Sequence, residues 1–403
     1  MPHELMERAA RLEGFAAQDP NNSTLLHDLA DTYHLAGKHV SALSILDRWT
    51  GPADGHLNDL RGQVLLALGR WQDAEQLFEA ALVHAPDSSA LTFNLGYAAW
   101  ASGQDPHRAV KLIWRATQLD PSNVHFHYHH AMALEASGDS AAAVVALDQG
   151  LSFKSDDLKC LAMLGRLHLD ASDFAASSEC ASRCTTAHPA SAVGWQLKGQ
   201  IALFQMDAQS ASKSLRHAMA IDNEDVDTYI FLAQAAFMQG RVRHARQLLG
   251  TALVIDAADE VAICMLGWAC MADNDIPAAT AAFDGALAVA PENADALAGS
   301  ACLQLSSGNL QEAESMALKA LRVDQEHIVA QLVMAQVREA SGQALGAKLI
   351  VDTVLKNSPF GPLRTSVAET FKSAATNASA GRLQRRYRLA LASSAQTKKA
   401  RAA

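Results

Sequence analysis

Along most of the chain, apolar residues fall on two stripes at helical spacing, broken by a glycine-containing turn and closed by proline or an acidic, polar turn. The pattern repeats every 34 residues. The set Gly62, Gly69, Ala74, Phe78, Ala81 and Pro86 returns as Gly96, Gly103, Ala109, Ile113, Ala116 and Pro121, with one residue inserted at the Asp105-Pro106 turn. It returns again as Gly267, Asn274, Ala279, Phe283, Ala286 and Pro291, and weaker copies lie between. Each period predicts two antiparallel helices. In the first, a large residue (Trp195, Tyr229 or Ile263) and a leucine one turn later (Leu232, Leu266) face the second helix. Gly96, Gly165, Gly199 and Gly267, with Ala30, Ala131, Ala233 and Ala335 at the same phase, set the approach distance. A leucine there would overpack the pair at a cost of roughly 1–3 kcal/mol.

Counted by phase, ten units start near Ser23, Gly55, Ser89, Val124, Leu158, Ala192, Val226, Glu260, Ala294 and Ile328. The expected organisation is an N-terminal capping helix within 1–22, ten units over 23–361, and C-terminal capping helices with a basic tail over 362–403. No single pair can bury its own apolar face, so neighbour interfaces supply the stability and no domain break is required. These positions resemble the tetratricopeptide-repeat (TPR) family over roughly residues 4–361. The resemblance implies an all-α fold, a right-handed superhelical solenoid of antiparallel helix pairs whose first helices line a concave groove. It also implies a scaffold, adaptor or chaperone for other proteins. Unit five, with Ser177 and Ala181, and unit nine, with Ser300 and Gln304, depart from the family pattern and read as softer joints.

Composition agrees with closely packed helices: 49% of the residues are hydrophobic but only 6% aromatic, in a chain of 403 residues. The start, Met1-Pro2-His3-Glu4, lacks a basic stretch followed by an apolar core, and no apolar run reaches membrane-spanning length, so a cytoplasmic location is expected. The six cysteines are scattered and read as small packing residues, Cys180, Cys184 and His188 lacking a fourth partner for zinc. In the run 125–130, His125 and His129 share a helical face, but no carboxylate lies between the imidazoles. There His130 falls at a core phase, His125 points to the groove and the other histidines read as solvated, so no metal is expected. No phosphate-cradling loop, nucleophile elbow or paired carboxylates emerge, and the expectation is a non-enzymatic protein without cofactors.

If the family geometry holds, the groove is lined by Phe93, Tyr97, Trp100, Tyr128, Gln196, Gln200, Ile230, Gln234, Phe237, Trp268 and Met271. Aromatic and methionine side chains would supply pockets for apolar anchors, and the glutamines would pair with a ligand's backbone. A protein or peptide partner is therefore expected, and self-association into a homo-oligomer would cover the same apolar patch. The Lys, Arg and Asn set with which related co-chaperones grip a C-terminal carboxylate is not assembled. Lys159 and Arg166, on one face, could hold a single acidic side chain. From Gly381 to Ala403 there are seven Lys or Arg and no acids, whereas the remainder has 26 basic against 43 acidic residues. Arg382, Arg385, Arg386 and Arg388 alternate with Leu383, Tyr387 and Leu391 in a short basic amphipathic helix. Capping is the favoured role; contact with an anionic partner is the other, and four arginines are few for nucleic acid. The expected function is an adaptor or chaperone-like protein holding an apolar or amphipathic segment. The alternative is a regulatory or secretion-associated subunit acting by self-assembly or through the basic helix.

Overall fold

The protein, described by a computed structural model, is seen over residues 2–51, 54–343 and 346. Among these residues there are twenty helices and no strand. The contacts divide the chain into two compact units, 1–167 and 168–403, although the pattern alone calls for no break. The first carries α1 (Pro2–Gln18), α2 (Ser23–Leu35), α3 (His39–Leu46), α4 (Gly55–Ala67), α5 (Trp71–His84), α6 (Ser89–Ser102), α7 (Pro106–Leu119), α8 (Val124–Ala136) and α9 (Ser140–Phe153). The division falls inside α10 (Leu158–Asp170). The second carries α11 (Phe174–Ala187), α12 (Val193–Phe204), α13 (Ala208–Ile221), α14 (Val226–Met238), α15 (Val242–Ile255), α16 (Glu260–Ala272), α17 (Ile276–Val289), α18 (Ala294–Ser306), α19 (Leu310–Val323) and α20 (Ile328–Ala340). Even-numbered helices from α2 onward are first helices of pairs, and the next odd-numbered helix is the second. The C-terminal capping helices and the basic tail of the expected organisation lie outside the described residues.

Local chemistry punctuates the pairs at the same period. Asp105, Asp139, Asp173, Asp207 and Asp275 stand at the N-caps of second helices, each accepting the backbone N–H three residues on. Such a cap contributes about 1 kcal/mol by satisfying a helix-end donor. The turn before each cap needs a left-handed residue: Gly138, Ser172, Met206, Gly240, Asn274 and Gly308, 34 residues apart, all have positive φ. Glycine accepts this conformation freely, whereas Ser172 and Met206 hold it at a cost.

Packing within a pair follows the small-against-large expectation. A Cβ on Gly62 would lie 2.3 Å from Phe78, one on Gly199 2.4 Å from Leu215, and one on Gly267 2.6 Å from Phe283. Phe283 is pinned from both sides, because a Cβ on Gly299 of the following pair would also stand 2.3 Å from its ring. Phe78, Leu215 and Phe283 are fully buried, each a gain of about 1.5–3 kcal/mol. Ion pairs lace neighbouring pairs: Arg108 bridges Glu75, at 2.8 Å, and Glu79 in the first unit, and Arg246 reaches Asp273 and Asp275 at 2.8 Å each in the second. No helix among the described residues is long and apolar enough to cross a membrane.

Candidate partner-binding face

In the first unit, α6 and α8 bring seven rings into one contiguous face. Phe93, Tyr97 and Trp100 recur at i, i+4 and i+7 of α6, which places them on one side of the helix. α8 answers with His125, Phe126, Tyr128 and His129. Phe93 is the hub: Phe126 stacks on it at 4.7 Å, and His125 and His129 approach at 5.1 and 5.3 Å. Tyr97 meets Trp100 at 5.6 Å and the edge of His129 at 5.4 Å, while the two imidazoles are 4.3 Å apart. Edge-to-face and offset contacts of this kind contribute about 0.5–1.5 kcal/mol each beyond burial. Phe93 and Phe126 are buried, Tyr97, Trp100, Tyr128 and His129 are half-buried, and His125 is exposed. The apolar foundation is thus covered while its rim stays open.

Charge around this face is low. Burial, helped by His125 and Lys159, pushes the His129 imidazole down to about 4, and burial and Lys159 also lower His125. Both rings are neutral at pH 7, so they join the stack as aromatics rather than as cations. Lys159 lies over the Tyr128 ring, 5.8 Å from its centre. Arg166, expected as an anion contact, instead grips both oxygens of Glu135 at 2.5 Å. Both contacts come from Nη2, a charge-assisted bond that commits this end of the guanidinium within the protein.

Two histidines expected in solvent are not there: His129 is half-buried in the ring cluster, and His127 lies deeper. His127, expected in solvent, is buried, with Nε2 2.9 Å from the Pro121 carbonyl and its ring stacked near Phe153. His130 is half-buried, and burial with the neighbouring His127 pushes it down to about 4. Among the described residues no group of three or more His, Cys, Asp or Glu is arranged to hold a metal. All six cysteines are buried free thiols, and burial raises Cys160 to about 12 and Cys184 to about 11. Thiols held protonated in this way are packing groups.

The same helical phases in the second unit give a closed surface, which corrects part of the expected groove. Trp268 is only 4% exposed and stands edge-on to Phe283 at 5.2 Å, inside the core. Ile230 is buried, and so is Gln234, whose amide nitrogen is 3.9 Å from the Met265 sulfur and whose oxygen has no partner. Gln196 donates to Asp225 at 2.6 Å and to Thr228 at 2.8 Å, so its amide serves the scaffold. The physical reason is side-chain size. Ala233, Ala236, Ala262, Ala269, Ala298 and Ala301 line these helices fully buried, and Trp268 fills the space beside Phe283 on the second helix of its own pair. Gln200, Phe237 and Met271 stay half-buried. Arg382, Arg385, Arg386 and Arg388 lie outside the described residues.

Comparison with known proteins points the same way as the geometry. A family profile for the Tetratricopeptide repeat matches residues 60–106 and 264–326, and a second profile of that description matches 124–149 and 226–251. The Vi polysaccharide export protein VexE of Salmonella typhi is 31% identical over 118 residues, 28% of this chain and 18% of that protein. The chain therefore matches less than a fifth of that relative's length. Among solved structures, the human IFIT1 dimer with m7Gppp-AAAA aligns over 89% of this chain and 87% of its own at 13% identity, with a TM-score of 0.51. A tetratricopeptide repeat protein from Parabacteroides merdae aligns over 59% of this chain and 93% of its own at 15% identity, also at 0.51. At such identities the likeness is one of fold.

Proposed function

Taking as premise that this chain is a tetratricopeptide-repeat protein, we propose that it is a non-enzymatic scaffold or chaperone-like adaptor that holds an apolar or amphipathic segment of a partner protein against the aromatic–imidazole face of α6 and α8. The observation that carries this reading is the open rim of Tyr97, Trp100 and Tyr128 around a buried Phe93–Phe126 stack. Large aromatics fixed by their own packing make anchors at little entropic cost, the property that concentrates binding energy in a few residues. Neutral imidazoles in the rim keep the face apolar at pH 7 and still offer one donor and one acceptor each. Gln200, Phe237 and Met271 of the second unit are the half-buried remainder of the expected groove residues there. The test is recovery of partners from native extract, followed by peptide mapping of what is recovered, with the chain and with Tyr97→Ala/Trp100→Ala. Loss of the mapped peptide by the double variant, with helicity retained, supports the face; equal capture rejects it.

A second reading, an export-associated subunit, draws on the stretch shared with a protein whose name assigns it to polysaccharide export. Deleting the gene and measuring surface polysaccharide separates the two readings, since an adaptor unconnected with export leaves the polysaccharide unchanged.

A further inference from the structure

Along the second helices α13 and α15, the second unit carries a cluster of positive charge that the 34-residue pattern does not single out. Lys213 and Arg216 project from α13, and Arg241 stands at the N-cap of α15. Together with Gln209, Ser210 and Gln239 they line a depression of about 850 Å³, and none of its lining residues is acidic. Lys213 and Arg216 have no ion-pair partner among the described residues, whereas Arg246 nearby is held by Asp273 and Asp275. The wall is built rather than loose. Gln239 donates to the Ala208 carbonyl at 2.7 Å and to the Ser212 hydroxyl at 3.1 Å, and its own oxygen accepts from Arg241. A smaller depression of about 400 Å³ shares Arg241 and adds Arg243, which pairs at 3.8 Å with Asp273, itself part of that lining. At the other rim His217 stacks on Trp195 at 4.7 Å, with Lys198 5.0 Å from that indole ring.

Unpaired cations beside one another repel, and a chain with 43 acidic against 33 basic residues has carboxylates enough to neutralise them. Their open clustering is therefore the feature an anionic ligand would use. Its extent limits the ligand. A helix the length of α13 spans about 20 Å, which matches about six residues of extended peptide. Both carrier helices then run into acidic turns, Asp222, Glu224 and Asp225 after α13 and Asp256 and Asp259 after α15. With a screening length of about 8 Å at physiological salt, a short anion feels the cations alone, but a long polyanion would be driven over the carboxylates. Amides and hydroxyls along the wall suit a polypeptide backbone.

We propose that this depression is a docking site for a short acidic segment of a partner polypeptide, with two or more carboxylates engaging Lys213, Arg216 and Arg241. It belongs to a different unit from the aromatic face and does not depend on it. The test uses the full chain and a fluorescein-labelled hexaglutamate peptide, read by anisotropy at low salt, with hexaglutamine as the neutral control. Binding of hexaglutamate but not hexaglutamine is expected. Lys213→Glu/Arg216→Glu should weaken it by about tenfold or more, and Tyr97→Ala/Trp100→Ala should leave it intact. If the reversal variant loses helicity, Lys213→Gln/Arg216→Gln replaces it with the same expectation. Absence of binding to hexaglutamate, equal binding by the charge variants, or tighter binding of an oligouridylate of equal charge would overturn the proposal, the last by assigning the cluster to a phosphate chain.

Discussion

The first-helix faces of the two units start from the same repeat phases and end differently. On α6 and α8 the positions that face the neighbouring first helix carry rings, Phe93 against Phe126 and His125, and Tyr97 and Trp100 keep an open edge beside them. On α14, α16 and α18 many of those positions carry alanine, and Trp268, at a phase that would otherwise face outward, is sealed against Phe283. Eight residues after the unit start, Tyr97 keeps an open edge while Trp268 is core; eleven after it, Trp100, Phe237 and Met271 are all half-buried. Trp100 is an available anchor, and Trp268 is part of the core.

The sharpest way to break this comparison is to remove the two tryptophans separately. Trp268→Ala should destabilise the second unit by about 3–5 kcal/mol in urea unfolding, since it empties a buried site beside Phe283. Trp100→Ala should cost only about 1 kcal/mol in the same measurement and show its effect in partner capture. Equal stability losses would mean that the two faces are alike.

Next in size is the response to acid, which should be a property of the first unit's face. The folded chain holds His129 and His130 down at about 4, below the ordinary 6.5, so between those values the unfolded chain binds protons that the folded one does not. Stability is then full above pH 6.5, falls as the pH drops through the window, and levels off below about 4. Each histidine contributes at most about 1.4 kcal/mol per pH unit. His129→Gln should remove its share of the slope, measured by urea midpoints across the window, and an unchanged slope would place the acid response elsewhere.

The smallest expected effect compares turns. Gly138 and Met206 occupy the same left-handed turn position, the one in the first unit and the other in the second. Met206→Gly should raise the thermal midpoint, corresponding to about 1 kcal/mol, because it removes the cost of a side chain at positive φ. Gly138→Met should lower it by a similar amount.

Much of the fold was legible in the pattern. Helix starts at Ser23, Gly55, Ser89 and Val124 fall where the repeat phase puts them, and glycines such as Gly62 and Gly199 sit under the large residues of their partner helices. These features depend on local spacing and on a contact partner close in sequence. The site was legible only in part. Phe93, Tyr97, Trp100 and Tyr128 of the ring cluster stand among the residues the pattern selected and Phe126 and His129 do not, while Gln196, Gln234 and Trp268 are committed to the protein's own packing. The buried His127, the Arg166–Glu135 pair and the cationic depression on α13 had no signal in the repeat, because the phase specifies core positions and leaves polar pairing open.

The sequence by itself determined that the described chain is built from helix pairs, where each pair begins and turns, and which small residues let its helices meet, since those follow from periodicities of 3.6 and 34 residues. The tertiary structure alone decided which first-helix side chains remain reachable and which cations remain unpaired. Exposure is fixed by the distance between neighbouring helices and by partners about thirty residues away, quantities that depend on how side chains of different repeats fill the space between them.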